Sequence, residues 1–456
     1  MSSFTNFDKK NQTLLNWLKN LFLERMGKDI VVTLRTDLVR IAHVDHPTSI
    51  NITEHNNEFY HVGGNVKYSD CSFSKLRLRK LGCQNYPSPG RIKPENAILE
   101  ESKIGYNLNY DLMGLIFWKL SLIEEMQINV RDVHQRVCGK KTHAFQHNYL
   151  HLPIVDMWFH ILQIIAKKLW PNYKPPNTNF KITPTHDIDR PAKYQFQAKF
   201  KAIQLLLLER SIKNMSLNLF DILMTDGRSQ PILNKNDPFN TFDWLMTQSE
   251  LRGLQSEFYF LSGTNSQEYD ADFDLNYPSI RSLSRSIFER GHRVGVHPSY
   301  WCYKNDALCK SEIMKFREML ASECIDDQTL NSRMHYLRWS HPVTMHILSN
   351  HGVTHDSTLG YHDCAGFRCG TSIEYTAIDP STKEVLPLLI RPLIAMESAL
   401  LPDKKKQVSD FEELYSKFVQ LKSECQKYNG NFIFLWHNSE LYSEPMRYIY
   451  TSVLDS

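Results

Sequence analysis

The chain has 456 residues, of which 42% are hydrophobic and 23% are charged, and its formal net charge is +3. This length is sufficient for two or three domains with sizeable cores, and the composition is typical of globular proteins. The nearly neutral charge, without a basic stripe, argues against nucleic-acid binding. No apolar run approaches the roughly 20 residues needed to span a bilayer, so no transmembrane segment is predicted.

The amino terminus and the cysteines indicate a cellular compartment. The start, Met1-Ser2-Ser3-Phe4, lacks a basic stretch followed by an apolar core, so no secretory signal is predicted. The nine cysteines are scattered along the chain without a Cys-x-x-Cys pair. This pattern is typical of reduced thiols rather than of a disulfide framework or a zinc knuckle. We therefore expect a cytoplasmic protein.

The first third of the chain, residues 1–170, is predicted to be an α+β domain. Helical periodicity predicts helices over about 11–26, 111–125 and 154–170. Runs of alternating or apolar residues predict a small sheet built from 30–34, 49–53 and 58–62. No catalytic constellation is found in this region, and its role is not predicted. Residues 171–179 contain three prolines and are predicted to be a linker.

The remaining residues, 180–456, are predicted to form an α/β domain in which short strands alternate with helices. The predicted strands are 180–183, 256–261, 294–297, 335–339, 354–357, 384–388 and 432–436. The predicted helices are 239–252, 278–290, 308–323, 342–350 and 410–428. Such alternation favours a parallel sheet or a (β/α) barrel, in which chemistry gathers at the carboxyl ends of the strands.

The segment Thr185-His186-Asp187-Ile188-Asp189 follows the first of these strands. Two carboxylates spaced by two project on the same side of an extended chain. One acid is then available to a metal, and its neighbour remains free as a base. An isolated Asp-x-Asp is more often an Asx turn or a helix cap, but here further polar clusters follow other predicted strands.

Three such clusters bring further candidate residues to the same rim. They are Gly291-His292-Arg293-Val294-Gly295-Val296-His297, Arg333-Met334-His335-Tyr336 and Phe434-Leu435-Trp436-His437. A lone histidine at a strand end is more often structural than a ligand. Four coordinated placements favour one shared site containing Asp187, Asp189, His297, Arg333 and His437.

In this order the motifs resemble the NodB-type polysaccharide deacetylases, carbohydrate esterase family four. They more narrowly resemble a bacterial subgroup with a separate amino-terminal domain. The segments that resemble this subgroup are Asp111-Leu112-Met113-Gly114-Leu115-Ile116-Phe117-Trp118, His355-Asp356-Ser357-Thr358-Leu359-Gly360-Tyr361 and Gly366-Phe367-Arg368-Cys369-Gly370-Thr371. The resemblance implies a distorted (β/α) barrel of about seven strands after a smaller α+β domain.

The resemblance also implies roles for the clustered residues. Asp187 is expected to be the catalytic base, Arg333 the residue that orients it, and His437 the general acid. Asp189 and His297 are expected to bind a divalent metal, with Zn²⁺ as the expected ion. The reaction would be hydrolysis of an N-acetyl group from a carbohydrate, in which zinc lowers the pKa of its water to about 7 and polarises the amide carbonyl.

One departure from the family affects the metal site. The family places a second metal histidine four residues after the first, and this chain has Trp301 at that position. Catalytic zinc usually has three protein ligands, so another residue must complete the set if metal is bound. His335 is the first candidate because it lies beside Arg333, and His186 is the second. His292 is expected to be structural, and His362 and Asp363 are weaker options on a rim loop.

Four residues are predicted to contact the substrate. The rings of Tyr300, Trp301 and Tyr361 offer surfaces for a sugar, and Arg368 offers a charge for an anionic group. The alternative for the aromatic residues is packing, and the alternative for Arg368 is a buried arginine that braces its loop.

Two other functions remain open on the sequence alone. The first is a metal-free carbohydrate-binding protein on the same barrel, which Trp301 in place of a histidine favours. The second is hydrolysis of another non-peptide C–N bond, such as that of a formamido sugar. Retention of Asp187, Asp189, Arg333 and His437 together favours an enzyme, because a binding protein needs neither a base nor an acid. The sugar and the oligomeric state are not predicted.

Overall fold

The structure is a computed structural model that describes residues 9–34, 38–53, 59–60, 68–69, 88–89, 98–207, 227–270, 273–326, 329–401 and 408–456. We call residues up to 170 the amino-terminal region and residues from 180 onward the carboxy-terminal region. Among the described residues, no helix has the length and apolar character needed to cross a bilayer.

The amino-terminal region contains a five-stranded sheet of order β1-β2-β3-β7-β6, in which only the β3–β7 pair is parallel. Its strands are β1 Ile30–Leu34, β2 Val39–His43, β3 Ser49–Ile52, β6 Leu99–Ser102 and β7 Gly105–Leu108, and a separate pair consists of β4 Tyr68–Ser69 and β5 Ser88–Pro89. The predicted strands 30–34 and 49–53 are observed, whereas β2, β6 and β7 were not predicted. The predicted strand 58–62 lies largely outside the described residues.

The helices of the amino-terminal region are α1 Lys9–Met26, α2 Leu112–Leu120, α3 His143–Gln146 and α4 Ile154–Leu169. α2 begins after Asp111, whose side chain accepts a hydrogen bond from the Gly114 N–H at 2.8 Å and so caps the helix. The predicted helix 111–125 is shorter in the structure because Leu122 adopts a positive φ of 51°. A separate 3₁₀ turn, Ile123–Met126, follows and buries the side chain of Glu125.

The carboxy-terminal region contains a nine-stranded sheet of order β13-β14-β12-β11-β10-β9-β8-β16-β15, parallel except for β13. Its strands are β8 Lys181–Ile188, β9 Glu257–Leu261, β10 Arg293–His297, β11 Asn331–Ser332, β12 His355–Asp356, β13 Tyr375–Ile378, β14 Val385–Ile390, β15 Ala395–Met396 and β16 Asn431–Leu435. Its helices are α5 Lys199–Leu207, α6 Phe242–Glu250, α7 Pro278–Glu289, α8 Asp306–Ser322, α9 Val343–Asn350, α10 Glu397–Leu400, α11 Val408–Lys427 and α12 Glu444–Asp455. The α/β class with a largely parallel sheet agrees with the sequence prediction.

The nine-stranded sheet is strongly curved. The guanidinium of Arg333, which follows β11, donates to Thr185 Oγ1 in β8 at 2.8 Å, although two strands separate β11 from β8. Neighbouring strands lie about 4.8 Å apart, so side chains this far apart in the sheet meet only across a concave face. The described strands form a curled, open sheet of nine strands, which corrects the expected number of about seven.

Three short strands differ from the sequence prediction. The segment 335–339 is not a strand; His335–Leu337 forms a 3₁₀ turn in which Tyr336 has a φ of 60°. The strand at this place in the sheet is the two-residue β11, and β13 and β15 were not predicted. β11 and β15 have two residues each and β13 has four, too few to show a clear hydrophobic period, so their positions depend on their neighbours.

The amino-terminal and carboxy-terminal regions share one continuous hydrophobic core. Polar contacts also join them: the Trp17 indole N–H donates to Thr376 O at 2.8 Å, and Asp156 accepts hydrogen bonds from Thr371 and Ser372. Residues 171–179 between the two regions contain no helix or strand. The division into domains at this segment stays a prediction.

Candidate active site

Two acidic side chains lie at the carboxyl end of β8. Asp187 is in the strand and is 3% exposed, whereas Asp189 follows the strand and is half-buried. Because their positions differ by two along an extended chain, both carboxylates point to the same concave face. The spacing therefore delivers a buried acid and a more accessible one to a single site.

Arg333 holds Asp187 in place. Its fully buried guanidinium donates to Asp187 Oδ1 at 2.9 Å, to Thr185 Oγ1 at 2.8 Å and to the Ser357 carbonyl at 2.9 Å. It also lies over the ring of Tyr259, 4.5 Å from the centroid. Since Oδ1 is occupied by this ion pair, Asp187 Oδ2 is the oxygen that faces the site.

Asp189, His297 and His335 form a compact group of potential metal ligands. One ligand atom from each lies within 4.8 Å of the others. His297 Nε2 is 3.3 Å, and His335 Nε2 is 3.6 Å, from Asp189 Oδ1. Asp189 Oδ1 is buried, and its contacts with the two imidazoles are close ion-pair contacts rather than hydrogen bonds of good geometry within the described part of the chain. A buried carboxylate oxygen in this situation fits a cation.

Contacts on the far side of each imidazole direct the Nε2 atoms toward Asp189. His297 Nδ1–H donates to the Arg333 carbonyl at 2.5 Å, and His335 Nδ1–H donates to Asp270 Oδ1 at 3.0 Å. Hydrogen bonds of this kind fix the tautomer and the ring orientation of metal-binding histidines. The donor set of one carboxylate and two imidazoles suits Zn²⁺.

The charges of this group also favour a cation. Burial opposes ionisation of Asp189, but the charge of His335 and the closeness of the His297 and His335 imidazoles hold the pKa of this carboxyl well below its usual value. Burial likewise lowers the pKa of His335, but Asp189 and Asp270 outweigh it and raise that pKa to about 9. His335 therefore carries a proton when no metal is present, and its positive charge offsets the negative charges of Asp189 and Asp270.

His437 lies next to the other oxygen of Asp189, with its Nε2 3.6 Å from Asp189 Oδ2. Its Nδ1 is hydrogen-bonded to the buried carboxylate of Glu397, the first residue of α10. Although burial acts to lower it, the pKa of His437 is raised to about 10, mainly by Glu397. His437 therefore carries a proton near neutral pH. Glu397 was not predicted, because no strand or periodic pattern in the sequence marks its position.

A cavity of about 420 Å³, within the range of small-molecule sites, is lined by Asp187, Asp189, His297, His335 and His437. Its wall also contains residues that sequence reasoning did not assign: Asp270, Glu268, Tyr269, Tyr336 and Arg136. Arg136 comes from the amino-terminal region and donates to the Tyr336 carbonyl at 2.9 Å. The amino-terminal region therefore contributes directly to the cavity.

The four predicted substrate contacts have other partners in the structure, and none of them lines this cavity. Tyr300 is buried, stacks on Tyr269 at 4.3 Å between ring centroids and bonds to His134 at 3.0 Å. Trp301 is 49% exposed beside Tyr300 and Arg338. The rings that reach the cavity are those of Tyr269 and Tyr336, and the substrate contacts of Tyr300 and Trp301 stay predictions.

Arg368 and Tyr361 bind Glu125 of the amino-terminal region. The Arg368 guanidinium donates to both Glu125 oxygens at 2.9 and 2.6 Å, and the Tyr361 hydroxyl donates to Glu125 Oε1 at 2.9 Å. Burial opposes ionisation of Glu125, but Arg368 and Tyr361 lower its pKa. These contacts favour the alternative of a buried arginine that braces its loop, and the substrate contacts of Tyr361 and Arg368 stay predictions.

Replacing Arg368 by Met is expected to lower the free energy of unfolding by about 3–5 kcal/mol, because Glu125 would be buried without its cation. Urea denaturation measures this change. The control is Arg252→Met, which removes a partly exposed ion pair with Asp455 and should cost about 1 kcal/mol or less. Unchanged stability together with weakened sugar binding would favour the prediction that Arg368 contacts the substrate.

The remaining candidate histidines lie outside the active-site group. His186 is buried, and its Nδ1 bonds to the Trp436 carbonyl at 2.8 Å; burial lowers its pKa to about 3. His292 Nδ1 accepts a hydrogen bond from the Ser256 N–H at 3.1 Å. His362 and Asp363 belong to a second group of side chains, near Cys138.

Comparisons with known proteins give a family model that matches part of the chain and several distant structural likenesses, three of which are described below. A family model described as a family of unknown function, DUF7033, matches residues 7–171. No curated protein matches the chain.

Solved structures similar to this chain include a protein described as a polysaccharide deacetylase from Mycobacterium smegmatis, with 11% identity, a TM-score of 0.39, and coverage of 62% of this chain and 85% of that one. A second is Puue allantoinase, with 11% identity, a TM-score of 0.37, and coverage of 62% and 87%. A third is described as a polysaccharide deacetylase from Pseudomonas aeruginosa PAO1, with 8% identity, a TM-score of 0.37, and coverage of 61% and 84%. The identities and TM-scores are low, so these likenesses say nothing about the activity of this chain.

Proposed function

We propose that the protein is a metal-dependent hydrolase that removes an N-acetyl group from a carbohydrate or sugar precursor. The observation that carries the proposal is the meeting of Asp189, His297 and His335 within 4.8 Å, next to an Asp187 that Arg333 holds at 2.9 Å. A metal-binding group beside an oriented carboxylate is the arrangement that hydrolysis of an unactivated amide requires.

The ligand group fits Zn²⁺, which when bound supplies polarisation of the substrate carbonyl and acidification of water. Asp189, His297 and His335 would hold it, and His335 replaces the histidine that the sequence lacks at Trp301. Asp270 and the Arg333 carbonyl, which bond to the two Nδ1 atoms, would keep both Nε2 atoms available as ligands.

In the proposed reaction Asp187 accepts a proton and His437 donates one. Asp187 Oδ2 faces the ligand group, 3.7 Å from His297 Nε2, and is placed to accept the proton of an attacking water. His437 Nε2 lies 3.6 Å from Asp189 Oδ2 and carries a proton, which it can donate to the leaving nitrogen. An amine leaves poorly as an anion, so this donation lowers the barrier to C–N cleavage.

The test combines metal content with product release. Elemental mass spectrometry should find one zinc fewer per chain in Asp189→Ala than in the wild type. The zinc-loaded wild type should release acetate from a member of a panel of free, nucleotide-linked and lipid-linked N-acetyl sugars. A chelator should abolish the release, and added zinc should restore it.

Other outcomes of the same experiment would contradict the proposal. Equal zinc content in the wild type and in Asp189→Ala would refute the proposed metal site. Sugar binding without any product would favour the carbohydrate-binding alternative. Release of formate from N-formyl sugars, without acetate from their N-acetyl counterparts, would assign the site to a different C–N bond.

A further inference from the structure

A second group of potential metal ligands lies outside the candidate active site. Cys138, His362 and Asp363 are each partly buried, and one ligand atom from each lies within 4.8 Å of the others. Cys138 belongs to the amino-terminal region, whereas His362 and Asp363 belong to a loop after β12. The group therefore spans the contact between the two regions, and none of its members takes part in the proposed hydrolysis.

The His362 ring has a carboxylate near each of its two nitrogens. Its Nε2 lies 3.2 Å from Asp132 Oδ2, and its Nδ1 lies 3.9 Å from Asp363 Oδ1. With Asp132 beside Nε2, Nδ1 is the nitrogen that lies on the side of Asp363. A carboxylate on the distal nitrogen is the usual partner of a metal-binding histidine.

The backbone holds the two chain segments close together. Asp363 Oδ1 accepts a hydrogen bond from the Gly139 N–H at 2.9 Å, and a carboxylate retains further lone pairs for a metal. A Cβ atom at Gly139 would lie 2.4 Å from Cys364 Sγ and 2.7 Å from Tyr361 Cγ. Only glycine permits this approach, which brings the neighbouring Cys138 to the loop.

We propose that Cys138, His362 and Asp363 bind a Zn²⁺ ion that joins the amino-terminal region to the loop after β12. Thiolate, imidazole and carboxylate are the ligands that zinc takes in proteins. Cys364 lies at the edge of the group, where its thiol donates a hydrogen bond to Asp363 Oδ1 at 3.7 Å, so the fourth position is left for water.

The proposed ion is linked to the active-site cavity by a short chain of contacts. The Asp132 carboxylate, which lies 3.2 Å from His362 Nε2, also forms an ion pair with Arg136, with 2.7 Å between Asp132 Oδ2 and Arg136 Nη2. Arg136 lines the cavity and bonds to Tyr336. The ion would therefore stabilise the wall that the amino-terminal region contributes.

Cobalt substitution tests the site separately from the catalytic one. The catalytic group contains no thiol, so a thiolate-to-cobalt charge-transfer absorption reports on the Cys138 site alone. In reduced, metal-free Asp189→Ala, Co²⁺ should produce this absorption at one equivalent, and Zn²⁺ should displace it. The absorption should be lost when Cys138→Ser is added, and kept when the exposed Cys324 is changed to Ser as a control.

A second variant addresses the orientation of His362. Asp132→Asn should weaken cobalt binding by about 10–100-fold, as expected for loss of a partner on the distal nitrogen. Circular dichroism of the metal-free variants checks that each is folded. Absence of the absorption at saturating Co²⁺, or its persistence in Cys138→Ser, would overturn the proposal. Neither result bears on acetate release, so the two proposals fail independently.

Discussion

Asp187→Asn is expected to lower kcat for acetate release by about 10²–10⁴-fold, the usual loss when a general base is removed. Asn preserves the shape of the side chain and can still accept the hydrogen bond that Arg333 donates to Oδ1 at 2.9 Å. Its amide group cannot take a proton from water. Steady-state kinetics on the zinc-loaded variant measures the loss.

Zinc content separates a lost base from a lost metal in this variant. Asp189, His297 and His335 remain in Asp187→Asn, so it should hold as much zinc as the wild type. The control is Asp379→Asn, because Asp379 is a buried acid that pairs with His346 away from the cavity. The role of Asp187 as base would be refuted by a kcat within about threefold of the wild type at equal zinc content.

The strands that position the site were predictable where they are long and apolar. β8, β9, β10 and β16 have five to eight residues each, enough to show a pattern, and they deliver Asp187, His297 and His437 to one rim. β11, β12 and β15 have two residues each. Their places in the sheet are set by neighbouring strands, so the sequence alone placed a strand wrongly at 335–339.

The residues around the rim were less predictable than those at strand ends. Glu397 and Asp270 act on His437 and His335 from loops or helix starts, where no periodicity marks a position. Arg136 reaches the cavity from the amino-terminal region by bonding to Tyr336, 200 residues away. Contacts between such distant segments depend on how the two regions pack, which composition and spacing do not encode.

The sequence does not show which residues an aromatic or charged side chain contacts in the fold, so such side chains near the site were predicted to contact the substrate. Arg368 is an example, because an arginine beside glycines in a rim loop fits either an anionic ligand or an internal acid. The structure supplies Glu125 as the internal acid. The position of Glu125 follows from the turn that Leu122 imposes after α2, and the sequence pattern predicted a continuous helix there.

His437→Ala is expected to have an effect that depends on the leaving group. For an N-acetyl sugar, kcat should fall by about 10²–10⁴-fold, because the amine must be protonated as the C–N bond breaks. For 4-nitrophenyl acetate, whose phenolate leaves without a proton, the loss should be less than about tenfold. His351→Ala, which removes a histidine paired with Asp306, is the control. General damage to the site would lower both rates equally, and that result would exclude His437 as the acid.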